Sequence, residues 1–224
     1  MSARTVSSVA LFGHPVAQSL SPRMQNAGFA AVGLDWEYVA VDVPPQELEE
    51  VVLGLEERGF VGANVTAPHK QAVAQLLGSK LPSVNTIAGG RGYSTDAAIL
   101  SQVADCYLAV IVGGGGAAAA FRAALPDARV FSRRGEWPPD ATGANLVVHA
   151  TPVRDEVVVE VGEGQTLIDL PYPESATAAA ARDRGARVFD GLEVLVAQGA
   201  ASFELWTGQP APVDAMRAAI GLPV

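Results

Sequence analysis

Cysteine is almost missing from this chain: Cys106 is the only one in 224 residues. One thiol can close no disulfide within the chain and can build no thiolate metal cluster. Histidine is also scarce, and His14, His69 and His149 follow no metal-ligand spacing, so no metal is expected. His69, beside Lys70, reads as structural. Positive charge is in deficit, with 15 Lys and Arg against 24 Asp and Glu, a net charge of −9. That balance argues against nucleic acid or an anionic membrane as the main partner, while leaving room for a local basic pocket. Long apolar runs are missing as well. The longest, Tyr107 to Phe121, is broken by consecutive glycines, and the early run Val9 to Phe12 is too short for a signal segment. No G-x-S-x-G motif or Cys/His arrangement points to a covalent nucleophile. A soluble protein of a reducing cytoplasm is expected.

What is present is a globular composition. Hydrophobic residues make up 49% and charged residues 17%, which excludes disorder from low hydrophobicity. The length suits one large domain or two small ones. Short β-branched runs alternate with helical patterns along nearly the whole chain. Val9–Phe12, Trp36–Val43, Val61–Val65 and Val84–Ala88 read as strands, and Gly89 to Gly92 as a turn. Ser21-Pro22 reads as an N-cap followed by proline at the first helical position, opening a helix to about Val32. Leu48, Val51, Val52 and Leu55 mark a second helix, ended near Gly59. A third carries Val73, Leu76 and Leu77. From Asp96 the chain is expected to cross by a helix into a second series, with strands at Tyr107–Val112, Ala128–Ser132, Asn145–Ala150, Thr166–Leu170 and Arg187–Phe189. Helices follow at Gly191 to Trp206 and Val213 to Ile220. Such βαβ alternation predicts a mostly parallel sheet with helices on both faces.

One turn carries chemistry. Gly113, Gly115 and Ala118 satisfy G-x-G-x-x-A between the strand ending at Val112 and an Ala-rich helix, with Gly116 and Ala117 inside the same turn. The first glycine permits the tight turn, the second lets backbone approach a pyrophosphate, and the helix N-terminus favours the anion. The next strand ends at Ser132-Arg133-Arg134, where an NAD site usually places an acidic residue. Forked guanidinium donors and a hydroxyl there suit the 2′-phosphate of NADP.

Four motifs then occur in order: Gly13-His14-Pro15-Val16-Ala17-Gln18-Ser19-Leu20-Ser21-Pro22, Asn64-Val65-Thr66-Ala67-Pro68-His69-Lys70, Val84-Asn85-Thr86 and Ser94-Thr95-Asp96. With Ala150-Thr151-Pro152-Val153, Asp169-Leu170-Pro171-Tyr172 and Asp190 to Gly199, the chain closely resembles the shikimate dehydrogenase family from about Leu11 to Trp206. The resemblance implies two α/β lobes. An N-terminal substrate-binding domain, residues 1–98, is completed by the helices of 191–224. A Rossmann-like NADP-binding domain spans 99–190, and its crossover is trimmed. It implies Lys70 and Asp96 as the catalytic pair, because an ammonium can stabilise and protonate the oxygen of a ketone receiving hydride. It implies Ser19 and Ser21 at the substrate carboxylate, and Asn64, Thr66, Asn85, Tyr172 and Gln198 elsewhere on shikimate or 3-dehydroshikimate. Thr151 falls among the cofactor residues.

The chain departs from the family pattern in places. The stretch from Gln71 to Ser83 is short. Pro138-Pro139 forbids a regular crossover helix between Arg134 and Ala144. Arg154-Asp155 replaces the Gly-Met that commonly follows the T-P-V triplet near the nicotinamide. Ser94 and Ile99 replace an Asn and a Gly, and Val194 a Met. The resemblance implies NADP-dependent reduction of 3-dehydroshikimate to shikimate, a step towards aromatic amino acids. A quinate or aminoshikimate dehydrogenase stays open at this point. So does a non-catalytic relative that binds a shikimate-like ligand or a partner, and so does the choice between monomer and homodimer.

Overall fold

A computed structural model describes residues 7–103 and 108–224. Cys106, and Tyr107 at which the fifth strand is expected to begin, lie outside the described residues. The chain divides into two units, one ending at Thr95 and resuming over Gln198–Val224, the other covering Asp96–Ala197.

In the first unit, strands β1 (Ser7–Gly13), β2 (Trp36–Asp42), β3 (Phe60–Val65), β4 (Thr86–Ala88) and β5 (Arg91–Tyr93) form one sheet in the order β2-β1-β3-β4-β5. The first three are parallel, because helices α1 (Ser21–Ala31) and α2 (Leu48–Leu53) carry the chain back between them. Strands β4 and β5 run antiparallel. The expected turn over Gly89 to Gly92 is therefore shorter. Gly89 and Gly90 alone take left-handed φ of 52° and 70°, and Arg91–Tyr93 pairs as a strand. Ser21 is not an N-cap either. It is the first helical residue, Leu20 occupies the cap position, and the Ser21 N–H donates to Ser19 Oγ at 3.2 Å. Helix α2 stops at Leu53, short of Gly59, with Gly54 at its C-cap, while Leu55 still packs inward from the following turns.

Helix α3 (Lys70–Leu76) lies with α2 over Ala10, Phe12, Ala63 and Val65, on one side of the sheet. Elsewhere in the unit, Phe29 of α1 stacks on Phe203 of α6 (Gly191–Thr207) at 5.3 Å between ring centroids. Met216 of α7 (Val213–Ala219) is fully buried and reaches Gly28 of α1. Each such side chain contributes roughly 1.5–3 kcal/mol by leaving water.

The second unit is a wholly parallel sheet of β6 (Ala109–Val112), β7 (Arg129–Phe131), β8 (Leu146–His149), β9 (Thr166–Asp169) and β10 (Arg187–Phe189), in the order β10-β9-β8-β6-β7. Among the described residues, the crossing from Asp96 carries a 3-10 helix at Ala98–Gln102 rather than the expected α-helix. Helix α4 (Gly116–Ala124) joins β6 to β7, and α5 (Ala176–Asp183) joins β9 to β10. No helix joins β7 to β8 or β8 to β9 among the described residues. Ala141, Ala144, Val159 and Val161 from those loops cover part of the sheet instead, packed with Val147 and Leu167.

Candidate active site

The first unit gathers a polar cluster under the C-terminal end of β3. Asn64 is 4% exposed and acts as its hub. Its Oδ1 accepts from the Tyr38 hydroxyl at 2.8 Å, and its Nδ2 faces Asn85 O, Thr86 Oγ1 and Ser202 Oγ at 2.9–3.0 Å. Asn85 Oδ1 accepts the Thr95 N–H at 2.7 Å, and Asn85 Nδ2 donates to Thr95 Oγ1 at 2.9 Å. A longer contact of 3.4 Å joins Asn85 Nδ2 to Gln198 Oε1. Thr86, Thr95 and Ser202 share hydroxyl contacts of 2.8–3.4 Å. Both asparagine amides thus serve the fold as well as any ligand, and the Asn85–Gln198 contact is the longest that either amide makes. Tyr38, Thr86, Thr95 and Ser202 were not evident as site residues. Only β pairing and the returning helix α6 bring them together.

Around this cluster lie the groups that reach outward. Thr66 and Lys70 are half-buried, Lys70 opening α3. Ser19 is half-buried and Ser21 buried at the start of α1. Ser19 accepts the Ser21 N–H, which leaves its own hydroxyl hydrogen available as a donor. His69 is buried and bonds Val43 O at 2.7 Å, a structural role. His14 holds Asp42 at 2.5 Å, and that hydrogen bond keeps the Asp42 carboxyl below its ordinary 3.8.

In the second unit the strand order reverses at β6, whose neighbours β7 and β8 lie in opposite directions. Open α/β sheets bind ligands at such a switch point, outside the carboxyl ends of the strands. Here that place is a cleft of about 560 Å³, lined by Gly113–Gly115, Ser132–Arg134, Trp137 and Ala150–Val153 among others. Gly113 has φ 148°, and a Cβ there would lie 2.6 Å from Ala150 O. A Cβ on Gly115 would meet nothing within 4 Å. Packing requires the first glycine, whereas the second borders open cleft at the N-terminus of α4. A pyrophosphate fits that cradle.

Arg133 and Arg134 are exposed at the cleft. Arg133 lies over the Trp137 ring at 5.7 Å and pairs with Glu156 at 3.1 Å. Deeper in the unit, His149 and Asp169 are fully buried and bonded at 2.6 Å, and His149 reaches Thr151 Oγ1 at 2.6 Å. Asp96 is 6% exposed, and Tyr172 is half-buried after β9.

Comparison with known proteins places two family profiles mainly on the first unit, while relatives and solved structures align along nearly the whole chain. The profile of the shikimate dehydrogenase substrate binding domain matches residues 11–87, and that of the shikimate 5'-dehydrogenase C-terminal domain matches 191–220. A shikimate dehydrogenase (NADP(+)) of Moorella thermoacetica is 38% identical, over 93% of this chain and 90% of that protein. One from Anaeromyxobacter sp. (strain Fw109-5) is 36% identical over 95% of each. That alignment runs to 266 positions, more than the 224 residues of this chain, so the relative carries segments that this chain lacks. The crystal structure of the Thermus thermophilus shikimate 5-dehydrogenase in complex with NADP(H) and shikimate superposes with a TM-score of 0.81. It is 28% identical and covers 96% of this chain and 98% of that one.

Proposed function

The chain belongs to the shikimate dehydrogenase family, and we propose that its first unit holds the substrate and its second the cofactor. The activity is NADP-dependent, reversible reduction of 3-dehydroshikimate to shikimate, an oxidoreductase reaction. Its relatives do not favour a quinate or aminoshikimate dehydrogenase or a non-catalytic binder. One observation carries the reading: a single chain joins a substrate-domain segment to a glycine-turn cleft of dinucleotide size at a sheet's switch point.

NADPH, when bound, supplies the hydride. The side chains do the rest. Lys70 places an ammonium against the ketone oxygen, stabilises the negative charge that develops there and delivers the proton. Asp96 orients that ammonium. The Ser19 and Ser21 hydroxyls receive the carboxylate. Thr66, Asn85, Tyr172 and Gln198 take the ring hydroxyls, one of which replaces the long Asn85–Gln198 contact. Asn64 holds Asn85 and Thr86 in place. Gly113, Gly115, Gly116 and Ala117 receive the pyrophosphate, while Ser132, Arg133 and Arg134 receive the 2′-phosphate.

The test is to mix the protein with shikimate and NADP and follow reduced nicotinamide by absorbance. Absorbance should rise only with both present, and a flat trace overturns the reading. Lys70→Ala and Asp96→Asn should each lower kcat by about 10²-fold or more, with shikimate affinity changed far less. Near-parental turnover in Lys70→Ala removes lysine from its role.

A further inference from the structure

The wall of the cofactor cleft contains a hydrogen-bonded chain that the mechanism above leaves unused. His149 ends β8 and Asp169 ends β9, and the parallel register sets the two side by side. Both side chains are 0% exposed. Asp169 Oδ1 lies 2.6 Å from His149 Nδ1, and Thr151 Oγ1 lies 2.6 Å from His149 Nε2. Asp169 Oδ2 has no hydrogen-bond partner among the described residues, so the side-chain bonding of this carboxylate is directed at His149. Thr151 itself lines the cleft beside Gly113 and Gly115.

The direction of each bond follows from donor and acceptor chemistry. An ionised carboxylate only accepts, so the hydrogen between Asp169 and His149 sits on Nδ1. With the ring neutral, the other nitrogen is an acceptor, and the Thr151 hydroxyl donates to it. The same arrangement, a buried Asp fixing the tautomer of a His that accepts from a hydroxyl, is the Ser-His-Asp template. Val153 N–H donates to Thr151 Oγ1 at 3.3 Å. The threonine then turns its only hydrogen inward, and towards the cleft it lines it can act only as an acceptor. A phosphate oxygen has no hydrogen to offer that acceptor, whereas a ribose hydroxyl has.

We propose that His149 and Asp169 are positioning residues that hold Thr151 as a hydrogen-bond acceptor, and that Thr151 takes a ribose hydroxyl of the dinucleotide rather than a phosphate oxygen. The proposal rests on the NADP reading given above. It adds a polarity that the glycine turn lacks. The N-terminus of α4 offers N–H donors to the nucleotide, and the relay supplies a side-chain acceptor beside them.

Two measurements test it. With no nucleotide added, long-range proton–nitrogen correlation spectra report which ring nitrogens carry hydrogen. The chain has only 3 histidines, so loss of one set of signals in His149→Asn identifies the residue. A neutral ring protonated at Nδ1 is expected, and a ring protonated at Nε2, or at both nitrogens, overturns the proposal. Calorimetric titration with NADP then compares the parent with Thr151→Ser and Thr151→Val. Valine should weaken binding roughly three- to tenfold while serine restores it, the loss expected for one hydrogen bond. Among NADP analogues lacking one ribose hydroxyl, one should bind the parent more weakly than NADP yet bind Thr151→Val as well as NADP does. Equal binding of NADP by parent and valine variant, with no analogue behaving so, overturns the acceptor role. A parent that binds no NADP at all instead removes the cofactor reading, whatever the tautomer.

Discussion

Gly113 and Gly115 stand two residues apart in one turn and answer to different constraints. Gly113 combines φ 148° with a Cβ position 2.6 Å from the Ala150 carbonyl oxygen. Alanine there strains the backbone and drives β8 away from β6, so Gly113→Ala should cost at least about 1–3 kcal/mol of stability, read as a lowered Tm. Gly115 has φ −90° and open space at its Cβ position. Gly115→Ala should keep the parental Tm and weaken NADP, and a variant that still binds NADP like the parent would show that the cradle lies elsewhere. Asp42 gives a second prediction at this scale. The hydrogen bond from His14 lowers its carboxyl below 3.8, with burial opposing and the His14 charge and the Val16 N–H assisting. A depressed carboxyl stabilises the fold above its unfolded value, and that contribution is lost as pH falls through the folded value. The Tm gap between the parent and Asp42→Asn should therefore be full above about pH 5 and close on further acidification. A gap that stays constant down to about pH 2 would show that the contact carries no titration-linked stability.

Among elements, the Asn64 amide is the joint that ties four together: Tyr38 from β2, Asn64 itself from β3, Thr86 from β4 and Ser202 from α6. Truncation leaves each buried partner short of one bond, at about 1–3 kcal/mol apiece where nothing replaces it. Asn64→Ala should thus unfold at markedly lower denaturant than parent, and the loss should exceed that of Ser202→Ala, which removes one member of the cluster rather than its hub. Similar losses would show that the network has no centre. This joint also marks the limit of what the sequence discloses. Strands β1, β2, β3 and β6 to β10 announce themselves as β-branched or apolar runs, and the Gly113 turn by its spacing. Strand β5 hides because Arg91-Gly92-Tyr93 reads as turn chemistry until β4 is present to pair with it. Helix α5 hides because Ala176 to Ala181 shows almost no apolar periodicity. His149 and Asp169 are separated by 20 positions, and only strand register makes them neighbours. Among the site residues, Asn64 and Asn85 could be picked out by resemblance. That their amides are already engaged could not, since it depends on a helix that returns more than a hundred residues later.

At the scale of the molecule, the chain is shorter than its alignments with its relatives, and its second unit connects three of its strands without helices among the described residues. Between β7 and β8, and between β8 and β9, loops stand where helices would otherwise shield a parallel sheet. Pro138 and Pro139 make the first of these irregular, and small or β-branched residues (Ala141, Ala144, Val159 and Val161) do the covering. Loops of this kind bury less apolar surface per residue and hold fewer backbone hydrogen bonds, so they open more easily. The cleft proposed for the nucleotide is lined by parts of the same connections, Arg133, Arg134 and Trp137 after β7 and Thr151 to Val153 after β8. Cofactor binding should therefore do more for the stability of this unit than it would in a lobe held by helices throughout. Hydrogen exchange resolved by segment is the measurement. Without nucleotide, residues 133–145 and 150–165 should exchange fastest among the loops, and β8 and β9 before β1 and β3. At NADP about one hundred times its Kd, binding stabilises the competent state by about 2.7 kcal/mol, a slowing of roughly a hundredfold wherever opening must release the nucleotide. That slowing should fall on residues 129–169 and spare α7. Uniform slowing of both units would mean that nucleotide and fold are linked through the whole chain, and no slowing in β8 would mean that the loops open without disturbing the cleft.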